Sequence, residues 1–219
     1  MKYGTLILLI VIVVIGGSCG RRSKESRAAD PGTSAAAEIP LSPEIASPEI
    51  RSVLANAAEQ TRITTGYSQD YFVIGYPNGD PPPETGACTD VVIRSFRAAG
   101  IDLQSEVHND MKGNFSAYPA KWGLSRPDKN IDHRRVPNLQ TYFTRKGKSL
   151  SVSGDPRNYL PGDVVSWDLN GKGMTHIGIV SSLWNEETGR YLIIHNIGGG
   201  TRAEDRLFEW KVTGHFRYF

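Results

Sequence analysis

Cysteine is scarce in this chain, with two thiols among 219 residues, Cys19 and Cys88. Two thiols cannot supply the disulfide framework of a small secreted scaffold, nor a four-cysteine zinc site. Charge of one sign is missing as well, since 25 Lys and Arg stand against 23 Asp and Glu. That balance hides an asymmetry. Lys2, Arg21, Arg22, Lys24 and Arg27 face only Glu25, so residues 1–27 carry a net +4 and the rest of the chain a net −2. A slightly acidic body has no general attraction for a phosphate backbone, which argues against a nucleic-acid partner. Long hydrophobic runs are absent too. The aliphatic stretch Leu6–Ile15 falls short of the roughly 20 residues that span a bilayer. With 39% hydrophobic and 9% aromatic residues the chain can still bury a globular core, so disorder of the whole is excluded.

The run Leu6–Ile15 follows Lys2 and precedes Gly16, Gly17, Ser18 and Cys19, the layout of an export or anchoring signal. Small residues ahead of Cys19 resemble a bacterial lipoprotein signal, in which that cysteine is lipidated; Gly16 stands where such signals usually have leucine. An uncleaved anchor and simple secretion are the alternatives, and all three place the body in the cell envelope, facing the periplasm or exterior. Residues 20–49 are rich in Arg, Ser, Ala, Pro and Glu, read as a flexible tether. The folded body is expected over 50–219.

Within that body, Val53, Leu54, Ala57 and Ala58 show helical spacing, and Tyr71–Tyr76 reads as a strand. A turn-rich loop follows at Pro77–Pro83, then a helix from Gly86–Cys88 to Ala99, ended by Gly100. The middle, from Ile101 to about Ser151, reads as irregular, with helical pieces around Pro137–Arg145. Strands are expected at Val164–Trp167, His176–Ser181, Tyr191–His195 and His215–Phe219. An early helix followed by antiparallel strands is an α+β arrangement.

Cys88, His176 and His195 form the constellation of interest. A cysteine at a helix start meets unpaired N–H groups and the positive end of the macrodipole, which favour the thiolate. His176 begins one strand and His195 ends the next, so the two imidazoles can sit side by side facing the helix start, one as base and one as its orienter. The backbone N–H of Cys88 can then help hold an oxyanion. A small buried hydrophobe is the ordinary alternative for such a cysteine.

Three segments carry a resemblance. Gly86-Ala87-Cys88-Thr89-Asp90-Val91-Val92 looks like the nucleophile helix of NlpC-like, papain-fold cysteine peptidases and amidases. Pro161-Gly162-Asp163-Val164-Val165-Ser166-Trp167 with Thr175-His176-Ile177-Gly178-Ile179-Val180 resembles their turn and histidine strand. Ile193-Ile194-His195-Asn196 resembles the strand of their third polar residue. Ala87 stands where those enzymes commonly have Asp, and 88 positions separate Cys88 from His176. In more detail, Tyr76–Asp80, Val107–Met111, Asn130–Leu139 and Gly214–Tyr218 resemble the YijF-like group of bacterial envelope proteins of unknown function.

The resemblance implies a papain-like, NlpC-type α+β fold with the nucleophile helix packed on an antiparallel sheet. It also implies amide hydrolysis through Cys88, His176 and His195, acting on peptidoglycan or its peptide fragments. No cofactor or metal is called for, and a monomer is expected. Tyr118, Trp122 and Arg126 are candidates for a substrate groove, with aromatic faces and a carboxylate-binding guanidinium. His108, Asp110, Asp132 and His133 invite a metal-dependent hydrolase instead, though no HExxH spacing is present. The competing reading of that stretch is a structural knot between Asp132 and the Arg134-Arg135 pair. A non-catalytic envelope-binding module is the third possibility. Asp163 reads as turn chemistry, Gly198–Gly200 as a mobile turn, and Asn196 as pointing away from His195.

Overall fold

The computed structural model describes residues 37–38 and 47–219. The signal, Cys19 and most of the tether lie outside the described residues. Among the described residues no helix is long and apolar enough to cross a membrane.

Helix α1, Pro48–Ile63, starts where Ser47 accepts the N–H of Ile50 at 3.1 Å and Pro48 supplies a ready-made first turn. It buries Val53, Leu54 and Ala57. Gln60 ties it to the next helix, donating to the carbonyl of Val91 and to Ser95 Oγ. Helix α2, Cys88–Ala98, ends at Gly100, whose φ of +83° closes the helix without the steric penalty a side chain would meet. Helix α3, Leu103–Asn114, is capped by Asp102, and helix α4, Val136–Arg145, has Pro137 in its first turn.

The strands are β1 (Ala37–Glu38), β2 (Ser149–Leu150), β3 (Val164–Asp168), β4 (Thr175–Asn185), β5 (Arg190–Asn196), β6 (Thr201–Glu204) and β7 (Lys211–Phe216). They form one sheet in the order β2-β7-β3-β4-β5-β6, with β1 paired to β4 at Trp184 and Leu183, and every pairing is antiparallel. Alternation divides its side chains. Val164, Ile177, Ile179, Ile194 and Phe216 pack with α2, α3 and α4, whereas Val165, Trp167, Val180 and Ile193 pack with Tyr159 and Leu207. Burying each such Ile or Val contributes about 1.5–3 kcal/mol.

The α+β class and the helix-on-antiparallel-sheet arrangement are as expected. Several elements differ. Residues 71–75 are not a strand: Asn130 Oδ1 accepts the N–H of Ile74, and Gln104 donates to the carbonyl of Gly75, so side chains take the place of a neighbouring strand. The last strand is Lys211–Phe216 rather than His215–Phe219. Helix α3 and strands β2 and β6 were not anticipated.

Candidate active site

Helix α2 begins at Cys88, preceded by Ala87, which has no side-chain oxygen to cap it. Asp90, three residues on, reaches back to accept the Ala87 N–H at 2.7 Å. The same carboxylate takes two charge-assisted bonds from Arg134, at 2.8 and 2.9 Å, with both side chains 1% exposed. Arg134 also donates to the carbonyls of Asp70 and Ser68. Of the expected knot between Asp132 and the Arg134-Arg135 pair, Asp132 does bind Arg135, whereas Arg134 binds Asp90 and braces the start of α2.

The backbone N–H groups of Ile177, Thr89 and Cys88 act on the Cys88 sulfur and favour its ionised form. Ile177 is the second residue of β4 after Thr175 and follows His176, so the sulfur lies against the beginning of the histidine strand. Burial pushes the Cys88 thiol up to about 12, Asp90 adds to this, and the three N–H groups only partly oppose it. The helix start therefore does not yield a resting thiolate, contrary to the sequence expectation. Desolvation outweighs the macrodipole. Cys88 should accordingly react with iodoacetamide at pH 7 at least about tenfold more slowly than a free thiol, and its rate should keep rising beyond about pH 10, where a free thiol levels off. A pH–rate profile that plateaus below pH 8 would show the thiolate instead.

His176 and His195 are brought together. His176 Nε2 lies 2.7 Å from His195 Nδ1, and His195 Nε2 lies 3.1 Å from Glu204 Oε2. Gly178 permits this approach of β4 and β5, since a Cβ there would meet Ile193 Cγ2 at 2.8 Å and His195 Cβ at 3.0 Å. Trp210 covers the pair, with ring centroids 5.8 Å from His176 and 6.1 Å from His195. The tautomers follow from the end of the row. The Glu204 carboxylate accepts, so His195 donates from Nε2 and accepts at Nδ1; His176 then donates from Nε2 and keeps a lone pair on Nδ1. Burial, reinforced by His195, lowers His176 to about 3, and burial also lowers His195 against the pull of Glu204. Both imidazoles are neutral at pH 7. The structure shows no hydrogen bond from the Cys88 sulfur to either ring; the sulfur meets β4 at Ile177.

Cys88 opens into a cleft of about 410 Å³ lined by Tyr67, Tyr71, Trp122, Arg134, Arg135 and Thr175 among others. Of the three residues expected in a substrate groove, Trp122 lines this cleft. Tyr118 does not: it is buried, donates to Asp110 at 2.7 Å and lines a separate cavity. Arg126 is exposed and lines neither cavity; Arg135 lines both, its guanidinium 4.1 Å from the Trp122 ring centroid. Asn196 does point away from His195, donating to the carbonyls of Gly66 and Gly86.

The alternative metal cluster is not assembled. Asp110 binds Arg145 and Tyr118, Asp132 binds Arg135 and the N–H of Asp128, and the His108 ring packs edge-on against Tyr76. His133 is buried and held down to about 4 by that burial. Among the described residues no three such side chains converge on a point. Sequence reasoning missed Glu204 and Arg135. Glu204 had no signal because β6 itself was unseen.

The sequence profile of a domain of unknown function, DUF1287, matches residues 54–218. The uncharacterized protein YijF of Escherichia coli (strain K12) is 51% identical over 163 residues, covering 74% of this chain and 78% of that protein. A crystal structure of an N-acetylmuramoyl-L-alanine amidase from Bacteroides uniformis superposes with a TM-score of 0.47 and 13% identity, over 78% of this chain and 98% of that one. This is a distant likeness that assigns nothing to the residues above.

Proposed function

The chain belongs to the DUF1287 family, and we propose that its domain is a papain-like cysteine hydrolase that cleaves an amide bond in peptidoglycan peptides. The observation that carries this reading is Cys88 at the start of α2 in an open cleft, its sulfur meeting β4 at the N–H of Ile177, the residue after His176, from which the buried row His176–His195–Glu204 runs on. Peptidoglycan as the substrate rests on the NlpC-like motifs around Cys88 and His176. The apolar run Leu6–Ile15 supports an envelope location, with the body held at the membrane through its N-terminus.

At rest the pair is a neutral thiol and a neutral imidazole. Catalytic hydrogen bonds of a free enzyme commonly tighten only when substrate binds. As the sulfur attacks the carbonyl carbon, its proton passes to His176 Nδ1, and the N–H groups of Cys88 and Thr89 receive the oxyanion. Collapse breaks the C–N bond, and the amine leaves with the proton from His176. Water, deprotonated by the same nitrogen, then hydrolyses the thioester and restores the thiol.

Glu204 holds this row in one tautomer without touching the reacting atoms. Glu204→Ala frees His195 to donate from Nδ1, which forces His176 to carry its proton on Nδ1, where the base is needed. We expect kcat to fall about tenfold to a hundredfold with KM little changed. Glu204→Gln, whose amide oxygen still accepts, should retain more. Ring ¹⁵N shifts should show His176 protonated on Nε2 in the wild type and losing that preference in Glu204→Ala. Identical shifts and kcat in all three proteins would remove Glu204 from the account.

A further inference from the structure

Arg135 lies in the loop just ahead of α4 and lines the Cys88 cleft, where its guanidinium is stacked on Trp122 at 4.1 Å. The ring and Asp132 together hold the guanidinium in place. One N–H, from Nη1, goes to Asp132 Oδ1 at 3.2 Å, and Nε and Nη2 donate to no side chain or carbonyl among the described residues. The other arginine of the cleft is different: Arg134 is fully engaged by Asp90, Asp70 and Ser68 and is neutralised by the first of these. Asp132, for its part, is already occupied by the N–H of Asp128 as well as by Arg135. The cleft therefore presents one planar, pre-oriented set of cationic donors on the same cavity as the sulfur. A flat anion with two oxygens matches such a fork, and a carboxylate is that anion. The first residues of α4, Val136 and Pro137, line the same cleft, so the positive end of that helix adds to the sign.

We propose that Arg135 is the substrate-carboxylate subsite of this cleft, so that the protein selects peptides bearing a carboxylate close to the bond that Cys88 attacks. The proposal rests on the reading of Cys88 as the nucleophile. It names a substrate class, acidic peptides, and a specificity residue for that reaction.

The test needs no natural substrate. Cys88 is alkylated with two pairs of reagents, iodoacetate against iodoacetamide and bromoacetylglycine against bromoacetylglycinamide, which place a carboxylate or its neutral amide at two distances from the reacting carbon. A free thiolate prefers the neutral member of each pair, because like charges repel. At Cys88 the acid of at least one pair should outpace its amide, a reversal of about tenfold relative to a free thiol. Arg135→Gln should abolish the reversal, and Arg135→Lys, which keeps the charge but not the fork, should retain part of it. The wild-type ratio stands on its own should Arg135→Gln fail to fold. Amide preference in both pairs, or an acid preference that survives in Arg135→Gln, overturns the subsite while leaving Cys88 as the nucleophile. No alkylation of Cys88 by any of the four reagents overturns both.

Discussion

Cys88→Ala is expected to abolish amide hydrolysis, by about a thousandfold or more, while leaving the unfolding transition nearly unchanged. The thiol is a single heavy atom at the border of the core and the cleft, so its loss leaves only a small void there. His176→Ala should fall almost as far, because nucleophile and base share one step and their losses do not add. His195→Ala should do worse than His195→Asn or His195→Gln, whose amide oxygen can still accept from His176 Nε2–H. His108→Ala and His133→Ala should lose far less. Turnover that survives in Cys88→Ala and vanishes in His133→Ala would transfer the chemistry to His133. The comparison is a kinetic one, made at saturating substrate and checked by thermal unfolding of each variant.

The second large effect is on stability. Arg134→Ala should destabilise the domain by about 3–5 kcal/mol, the usual consequence of leaving one partner of a buried ion pair uncompensated. For a domain of this size that lowers Tm by on the order of 10 °C. Four things are lost together: two bonds to Asp90 and the bonds to the carbonyls of Asp70 and Ser68. The Asp90 carboxylate would then stand 1% exposed with only the Ala87 N–H to satisfy it. Because that same bond fixes the start of α2, catalysis should suffer beyond the loss of stability. A double variant, Asp90→Leu with Arg134→Met, removes both charges and should cost less stability than Arg134→Ala alone. Calorimetry of the three proteins decides it; a Tm for Arg134→Ala within about 2 °C of wild type would show the pair to be structurally idle.

How much of this was visible in the sequence varies by element. Helix α2 was, because Val92 and Phe96 mark one face and Gly100 marks its end. Helix α3 has comparable signals, Asp102 as cap and Leu103, Val107 and Met111 on one stripe. Its signal is nonetheless weak, because the residues between them are polar and the apolar stripe is only one side chain wide. The stretch Tyr71–Tyr76 misled in the opposite direction. Its aromatic and β-branched residues suit a strand, yet Val73 is 86% exposed and no strand runs alongside. Composition reports what a segment tolerates; pairing depends on what lies next to it.

The site divides along the same line. His176 and His195 could be placed together because each sits at a strand end and successive antiparallel strands return the chain to the same edge. Their orienter Glu204 could not, since the four-residue strand that presents it is too short to show a period. Arg126 and Arg135 are equally basic, and Arg126 is much the nearer to Trp122 in sequence. Only the turn of chain from Asp132 into α4 decides which guanidinium lies on the indole. The charge state of Cys88 depended on magnitude: a helix terminus is worth up to ~2 kcal/mol in favourable geometry, and full burial of a thiolate costs more.

The thioester at Cys88 is the most direct point of test. Residues 47–219, incubated with purified peptidoglycan and quenched in acid, are digested and the peptide containing Cys88 is weighed by mass spectrometry. The account predicts an acyl adduct on that peptide during turnover, accumulating alongside products with new amine and carboxyl ends and absent in His176→Ala. Products that appear while the Cys88 peptide stays unmodified, and that appear equally with Cys88→Ala, would contradict it.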